Sequence, residues 1–160
     1  MTFFLTALLV VLADQLSKIW IRSALTIGAP FPETGLFRLI HVRNSGAAFG
    51  LLQGQSLPLT IAGLFGIVVL LLFFFLFSGR LTFFDNRLSK PALGLILGGI
   101  AGNLIDRIRL GYVTDFIDVG IWPTFNIADS AITVGVILMA YYLLFTSAKT
   151  TDLSASSKKH

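Results

Sequence analysis

The sequence predicts an all-α integral membrane protein with four transmembrane helices, and three observations carry that expectation. Of the 160 residues 55% are hydrophobic and only 12% charged, with a mean hydropathy of +0.85. A water-soluble domain carries about twice that charged fraction. Four apolar runs approach the roughly 20 residues needed to cross a bilayer. Half of the eight acidic residues (Asp106, Asp115, Asp118 and Asp129) crowd into 24 positions between the end of one run and the start of the next. A carboxylate beside hydrocarbon is costly unless it is paired, hydrated or useful.

The first run covers residues 3–21. No basic residue precedes its apolar core and no small-x-small site follows it, so a retained span is expected here and not a cleaved signal. Asp14 and Lys18 interrupt its second half, four residues apart and therefore on one helical face. Two readings stand: an ion pair near the helix end with Lys18 snorkelling to the interface, or an electrostatic support for something polar beyond. Residues 23–57 contain Pro30, Pro32 and several glycines, which break any helix. Weak alternation over 37–42 predicts a short strand. The block Asn44-Ser-Gly-Ala-Ala-Phe49 reads most simply as a turn, in a glycine-rich apolar loop suited to the interface.

Residues 58–77 form the second, uncharged span, and 78–90 a polar loop with Arg80, Arg87 and Lys90. The third span is 91–108. Its Gly94, Gly98 and Gly102 recur every four residues, a face for close helix contact. Asn103, Asp106 and Arg107 gather at its far end near one face, as an interfacial ion-pair cluster would. The stretch 111–130 is read as an outer loop that runs into the fourth span, 127–145. Asn126 stands at an N-cap position and Asp129 at N3, a variant capping box that would by itself account for Asp129. Asp115 has no such explanation, because Val113, Phe116 and Ile117 around it are apolar. Residues 1–147 are expected to form a single domain and 148–160 a disordered cytoplasmic tail.

Four spans put both termini on one side. The 78–90 loop and the tail hold six basic residues, and the other face also holds six. Four of that second set (Lys18, Arg22, Arg107 and Arg109) lie near acids at helix ends. Discounting those, the positive-inside rule puts the termini in the cytoplasm, and Asp14, Asn44, Asp106, Asp115 and Asp129 near the outer face. Distant segments thus bring polar groups to one depth.

The available groups are carboxylates, amides and guanidinium. The chain has no cysteine, neither histidine (His41, His160) sits near a motif, and no His/Glu spacing favours a metal. The scattered basic residues argue against nucleic acid. A pair of aspartates activating water remains, sharing one proton because neighbouring carboxylates do not both ionise easily. A proton-coupled transporter or a structural subunit would also hold intramembrane acids. The one-sided clustering and the absence of a visible repeat argue against the first, and Asp115 against the second.

Five blocks occur in order: Asp14-Gln-Leu-Ser-Lys18, Asn44-Ser-Gly-Ala-Ala-Phe49, Gly98-Gly-Ile-Ala-Gly-Asn-Leu-Ile-Asp-Arg107, Val113-Thr-Asp-Phe-Ile-Asp118 and Phe125-Asn-Ile-Ala-Asp-Ser130. With these blocks the sequence resembles the lipoprotein signal peptidases, the type II signal peptidases of bacterial inner membranes. The resemblance spans nearly the whole chain, leaving 26–40 and 119–124 as variable parts. It implies an aspartyl endopeptidase with Asp115 and Asp129 as the catalytic pair. Asp14, Lys18, Asn44, Gly99, Asn103, Asp106, Arg107, Asn126 and Ala128 would support or line the site, while Asp118 belongs to the motif but not to the pair. The implied fold adds to the four helices a small periplasmic β-cradle and a short amphipathic helix, both from the first outer loop. The implied substrate is a prolipoprotein with a diacylglyceryl cysteine, cut just before that residue. The implied inhibitor is globomycin, and no metal or other cofactor is required.

Overall fold

The computed structural model describes residues 1–46, 54–81, 84 and 87–146, the side chains of 145 and 146 excepted. Four of its helices are long and apolar enough to cross a membrane. They are α1 (Thr2–Ala24), α2 (Ser56–Phe77), α3 (Ser89–Leu110) and α4 (Ile127–Tyr141), the last continued by a π-helical turn, Tyr142–Thr146. The strand expected over 37–42 is β2 (Arg38–Asn44), paired antiparallel with the two-residue β1 (Pro30–Phe31).

The third strand, β3 (Val113–Asp118), corrects the reading of 111–130 as loop. It also corrects the expectation that the cradle comes from the first outer loop alone. β3 pairs antiparallel with β2, giving the order β1-β2-β3. Its burial explains why alternation was faint: Val113, Thr114, Asp115 and Phe116 are all buried, so both faces of the strand are covered. The turn expected after Asn44 and a short amphipathic helix in the first outer loop fall partly or wholly on 47–53, outside the described residues. The tail expectation, which concerns 148–160, lies wholly outside them.

α3 is the central helix. It packs along α1 on one side and α4 on the other, with α2 more loosely against it. Eleven of its residues are buried, whereas α2 has none. Glycine makes this possible. A Cβ on Gly98 would stand 2.7 Å from both the Ala7 carbonyl oxygen and the Val10 Cβ, and one on Gly94 2.8 Å from the Thr6 Cβ. On the α4 side, a Cβ on Gly135 would lie 2.8 Å from the Ala92 carbonyl oxygen. Gly99 meets Ala128 and Ile132 in the same way. Without water to drive helices together, backbone approach of this kind supplies the packing.

The bundle has an apolar end and a polar end. At the first, Phe3 stacks on Phe74 at 4.0 Å between centroids and belongs to a buried cluster with Ala7, Phe84, Leu93 and Leu97. At the second lie the C-terminal halves of α1 and α3, the N-terminus of α4, and the sheet. The sheet is pinned to the spans. Ile27, three residues past α1, bridges to His41 of β2, and Phe125, two residues before α4, bridges to Ile117 of β3.

Close approach at α3 is directly testable. Gly98→Val should separate α1 from α3, cost about 1–3 kcal/mol or more, and lower the melting temperature in detergent. Gly63→Ala, whose new methyl would meet only side chains at 3.6 Å and beyond, should leave it unchanged or slightly raised.

Candidate active site

The polar end is built around Lys18, which is completely buried. Its Nζ lies 2.8 Å from Asp14 and 3.6 Å from Asp106, and donates to the Asn103 Oδ1 at 2.9 Å. The i,i+4 spacing of Asp14 and Lys18 does make an ion pair, but Lys18 does not snorkel outward. It turns inward because two carboxylates and an amide meet it there, and an ammonium so partnered can stay buried. Gly102 clears the space, since a Cβ there would stand 2.6 Å from the Asp14 carboxylate. Asp14 also accepts from the Ala128 backbone N–H at 3.0 Å, so α1 caps α4. Asp106 accepts from the Thr114 N–H at 2.9 Å, so α3 holds β3.

Lys18 has only donors. Its contact therefore fixes the Asn103 carbonyl toward it and the Asn103 amide nitrogen away. That nitrogen donates to Asp129 Oδ1 at 2.7 Å. The Asn103 oxygen also accepts from the Asn126 Nδ2 at 3.1 Å, which orients Asn126 in turn. Asn126 Nδ2 then donates to Asp115 Oδ1 at 2.7 Å, and its Oδ1 accepts from the Asp129 N–H at 3.0 Å. The expected capping box is present, with the Asn126 N–H returning to Asp129 Oδ2 at 3.2 Å. Asp129 thus caps its helix and also meets Asn103, so the cap does not account for its whole environment. From the sheet, Asn44 at the end of β2 donates to Asp115 Oδ2 at 2.8 Å.

Asp115 and Asp129, 14 residues apart, are therefore joined through one amide, that of Asn126. Asp115 is buried and Asp129 only half-buried. Burial first, and the Asp129 charge second, raise the Asp115 pKa to about 7, against weaker lowering by Asn44, Asn126 and Lys18. Asp115 thus holds its proton far above the usual carboxylate range, up to about pH 7.

Arg107 corrects the expected ion-pair cluster. It makes no ion pair with Asp106 but donates to the Gly46 carbonyl at 3.3 Å, and its charge acts on Asp129 and Asp115 ahead of Asp106. Asp106 pairs instead with Lys18 and with Arg22, at 3.5 Å. Gly99 and Ala128 contribute close α3–α4 packing. Asp118 stands apart, bound to Arg38 at 2.7 Å. His41, on β2, is buried, with Nδ1 facing the Leu25 carbonyl at 3.2 Å.

Three contributors were missed from sequence. Arg22 donates to the Thr114 hydroxyl at 2.9 Å, and Gln15 donates to the Gly102 carbonyl at 3.0 Å. Thr114 is the third. Arg22 was findable, because 14, 18 and 22 share one helical face.

Residues 6–145 match the family model described as signal peptidase (SPase) II. A protein of Dehalococcoides mccartyi described as "Lipoprotein signal peptidase" is 48% identical over 157 residues, covering 98% of each chain. One of Moorella thermoacetica with the same description is 44% identical over 150 residues, covering 93% of this chain and 97% of that one. A solved structure described as a bacterial membrane enzyme superposes with a TM-score of 0.83 at 35% identity, covering 92% of this chain and 90% of that one. The family match runs through all four spans and both segments that carry the paired aspartates, and on these grounds the chain belongs to the signal peptidase II family.

Proposed function

We propose that this multi-pass membrane protein is an aspartyl endopeptidase that cleaves signal peptides from prolipoproteins, with Asp115 and Asp129 as its catalytic pair. The observation that carries the assignment is the junction at Asn126, whose side-chain amide donates to the Asp115 carboxylate and whose backbone N–H donates to the Asp129 carboxylate, so that one residue holds both acids. Asp129, the more open of the two, takes a proton from water as that water attacks the scissile carbonyl. Asp115 donates its proton to the developing oxyanion. As the tetrahedral species collapses, the proton held by Asp129 passes to the leaving amine and one hydroxyl of the diol returns its proton to Asp115 while its oxygen becomes the new carbonyl, so the pair recovers its starting charge. Arg107 supplies positive charge beside both groups, and Asn44 holds Asp115 in place.

Family membership and the one-sided site support the finer reading. The substrate is a prolipoprotein whose cysteine already bears diacylglycerol, with cleavage just before that residue and with globomycin as inhibitor. The protein sits in the bacterial inner membrane with both termini cytoplasmic and the paired aspartates near the outer face. The four spans and the basic 78–90 loop support that orientation. Reporter fusions at Asp85 and after residue 147 should be active only as cytoplasmic reporters, and activity outside the cell would reverse the orientation.

Asp115→Asn and Asp129→Asn should each fold and still bind globomycin, because the amide is nearly isosteric. Each should lose cleavage of a lipidated precursor by about 10²–10⁴-fold. The double variant should be little worse than either single one. If Asp129 served only as a cap, Asp129→Asn would retain most activity, since Asn is itself a good partner in a cap.

The raised Asp115 pKa has a signed consequence. A carboxyl titrating near 7 when folded and at its usual 3.8 when unfolded gives the folded state the extra proton between those values. Its contribution therefore makes stability fall as pH rises through that window. Cleavage should likewise decline as pH rises through about 7 and Asp115 loses the proton it donates. Melting temperature against pH should show this slope in the parent and lack it in Asp115→Asn.

A further inference from the structure

The end of the sheet remote from Asn44 carries apolar side chains that nothing in the site requires. In the β2–β3 register Arg38 faces Asp118, so the β1–β2 turn and the loop after β3 leave the sheet at the same end. At the end of β1 and on the turn, Phe31, Leu36 and Phe37 are exposed, and on the loop Ile121 and Trp122 are exposed, with Ile121 at 95%. The loop is shaped to present them. The Gly120 N–H donates to Asp118 Oδ1 at 2.8 Å, Gly120 adopts φ 76°, and the Ile121 N–H donates to the Val119 carbonyl at 2.9 Å. The Arg38–Asp118 pair at 2.7 Å locks the two tips to each other. Two segments distant in sequence thus build one apolar rim.

The position of the sheet says what covers this rim. The sheet is bridged to the ends of two spans, through Ile27 within three residues of α1 and through Phe125 within two of α4. Chain segments of that length reach at most about 10 Å, while the polar layer on each side of a bilayer is only about 6 Å thick. The sheet therefore lies at the membrane surface, where aromatic and aliphatic tips partition into the boundary between headgroups and acyl chains. Glu33, at the crest of the β1–β2 turn, is exposed and charged, and it limits how deep the turn can go.

We propose that Phe31, Leu36, Phe37, Ile121 and Trp122 form a shallow membrane anchor seated in the lipid interface. It sets the height and tilt of the sheet, and so the depth at which Asn44 and Asp115, toward the other end of their strands, meet the bilayer. The partner is the lipid surface itself.

The chain has only two tryptophans and no cysteine, which makes the test clean. In the Trp20→Phe variant, in vesicles, Trp122 is the sole tryptophan. Its emission should be blue-shifted and mostly lost with lipids brominated near the top of the acyl chain. Lipids brominated near the terminal methyl and aqueous iodide should affect it much less. Independently, nitroxides on Leu36→Cys and Ile121→Cys should relax with oxygen more than with a water-soluble nickel chelate, and a label on Glu33→Cys the reverse. Trp122 quenched mainly by iodide, or both tip labels relaxed mainly by the chelate, would overturn the anchor. So would protection of the tips only on adding precursor protein, which would make the rim a protein-binding surface.

Discussion

A buried ammonium is the constraint on which the polar end depends. Lys18 has no access to water, so every group around it must compensate its charge or accept from it, and removing one such partner costs about 3–5 kcal/mol. That requirement fixes Asp14, Asp106 and the carbonyl of Asn103 at once. Through Asn103 it reaches Asn126, and through the two amides it reaches both Asp129 and Asp115. The orientation of each amide follows from the one before it, so a cation on α1 decides where N–H groups point on α3 and α4.

Packing and electrostatics are the same problem here. The Lys18 cluster needs α1, α3 and α4 closer than ordinary side chains allow. Gly98 and Gly102 admit α1, and Gly99 and Gly135 admit α4. Gly102 serves both ends at once, since the space it leaves is filled by the Asp14 carboxylate and the Ala128 methyl. α2, with no buried residue and no part in the cluster, needs no such accommodation.

Much of this was legible in the sequence because periodicity and charge cost are local. Four apolar runs gave four spans within a few residues, and the Asp14–Lys18 spacing gave their pairing. The Asn126–Asp129 capping box was read from two positions. What was not legible came from tertiary contact. β3 hid because it is covered on both faces and so lacks alternation. Arg107 and Asp106 lie side by side in sequence, but adjacent helical residues point about 100° apart, and which neighbour each meets is decided by the elements packed there. The inward turn of Lys18 depends on Asp106 and Asn103, more than eighty residues away, and the burial of His41 on the Leu25 carbonyl at the end of α1.

The composition of the shell around the paired aspartates bears on how the proposed site would exchange protons. Among the described residues, the side chains that hydrogen-bond the Asp115 and Asp129 carboxylates are those of Asn44, Asn103 and Asn126. An amide donates and accepts, but near neutral pH it neither gains nor loses a proton. Lys18 therefore acts on Asp115 by its field, and among the described residues no titratable side chain hydrogen-bonds either carboxylate. The amides act as an insulator on the side facing the bundle. If the pair works as proposed, its protons are exchanged on the open side of Asp129, with water or with the bound peptide, and not with groups inside the bundle.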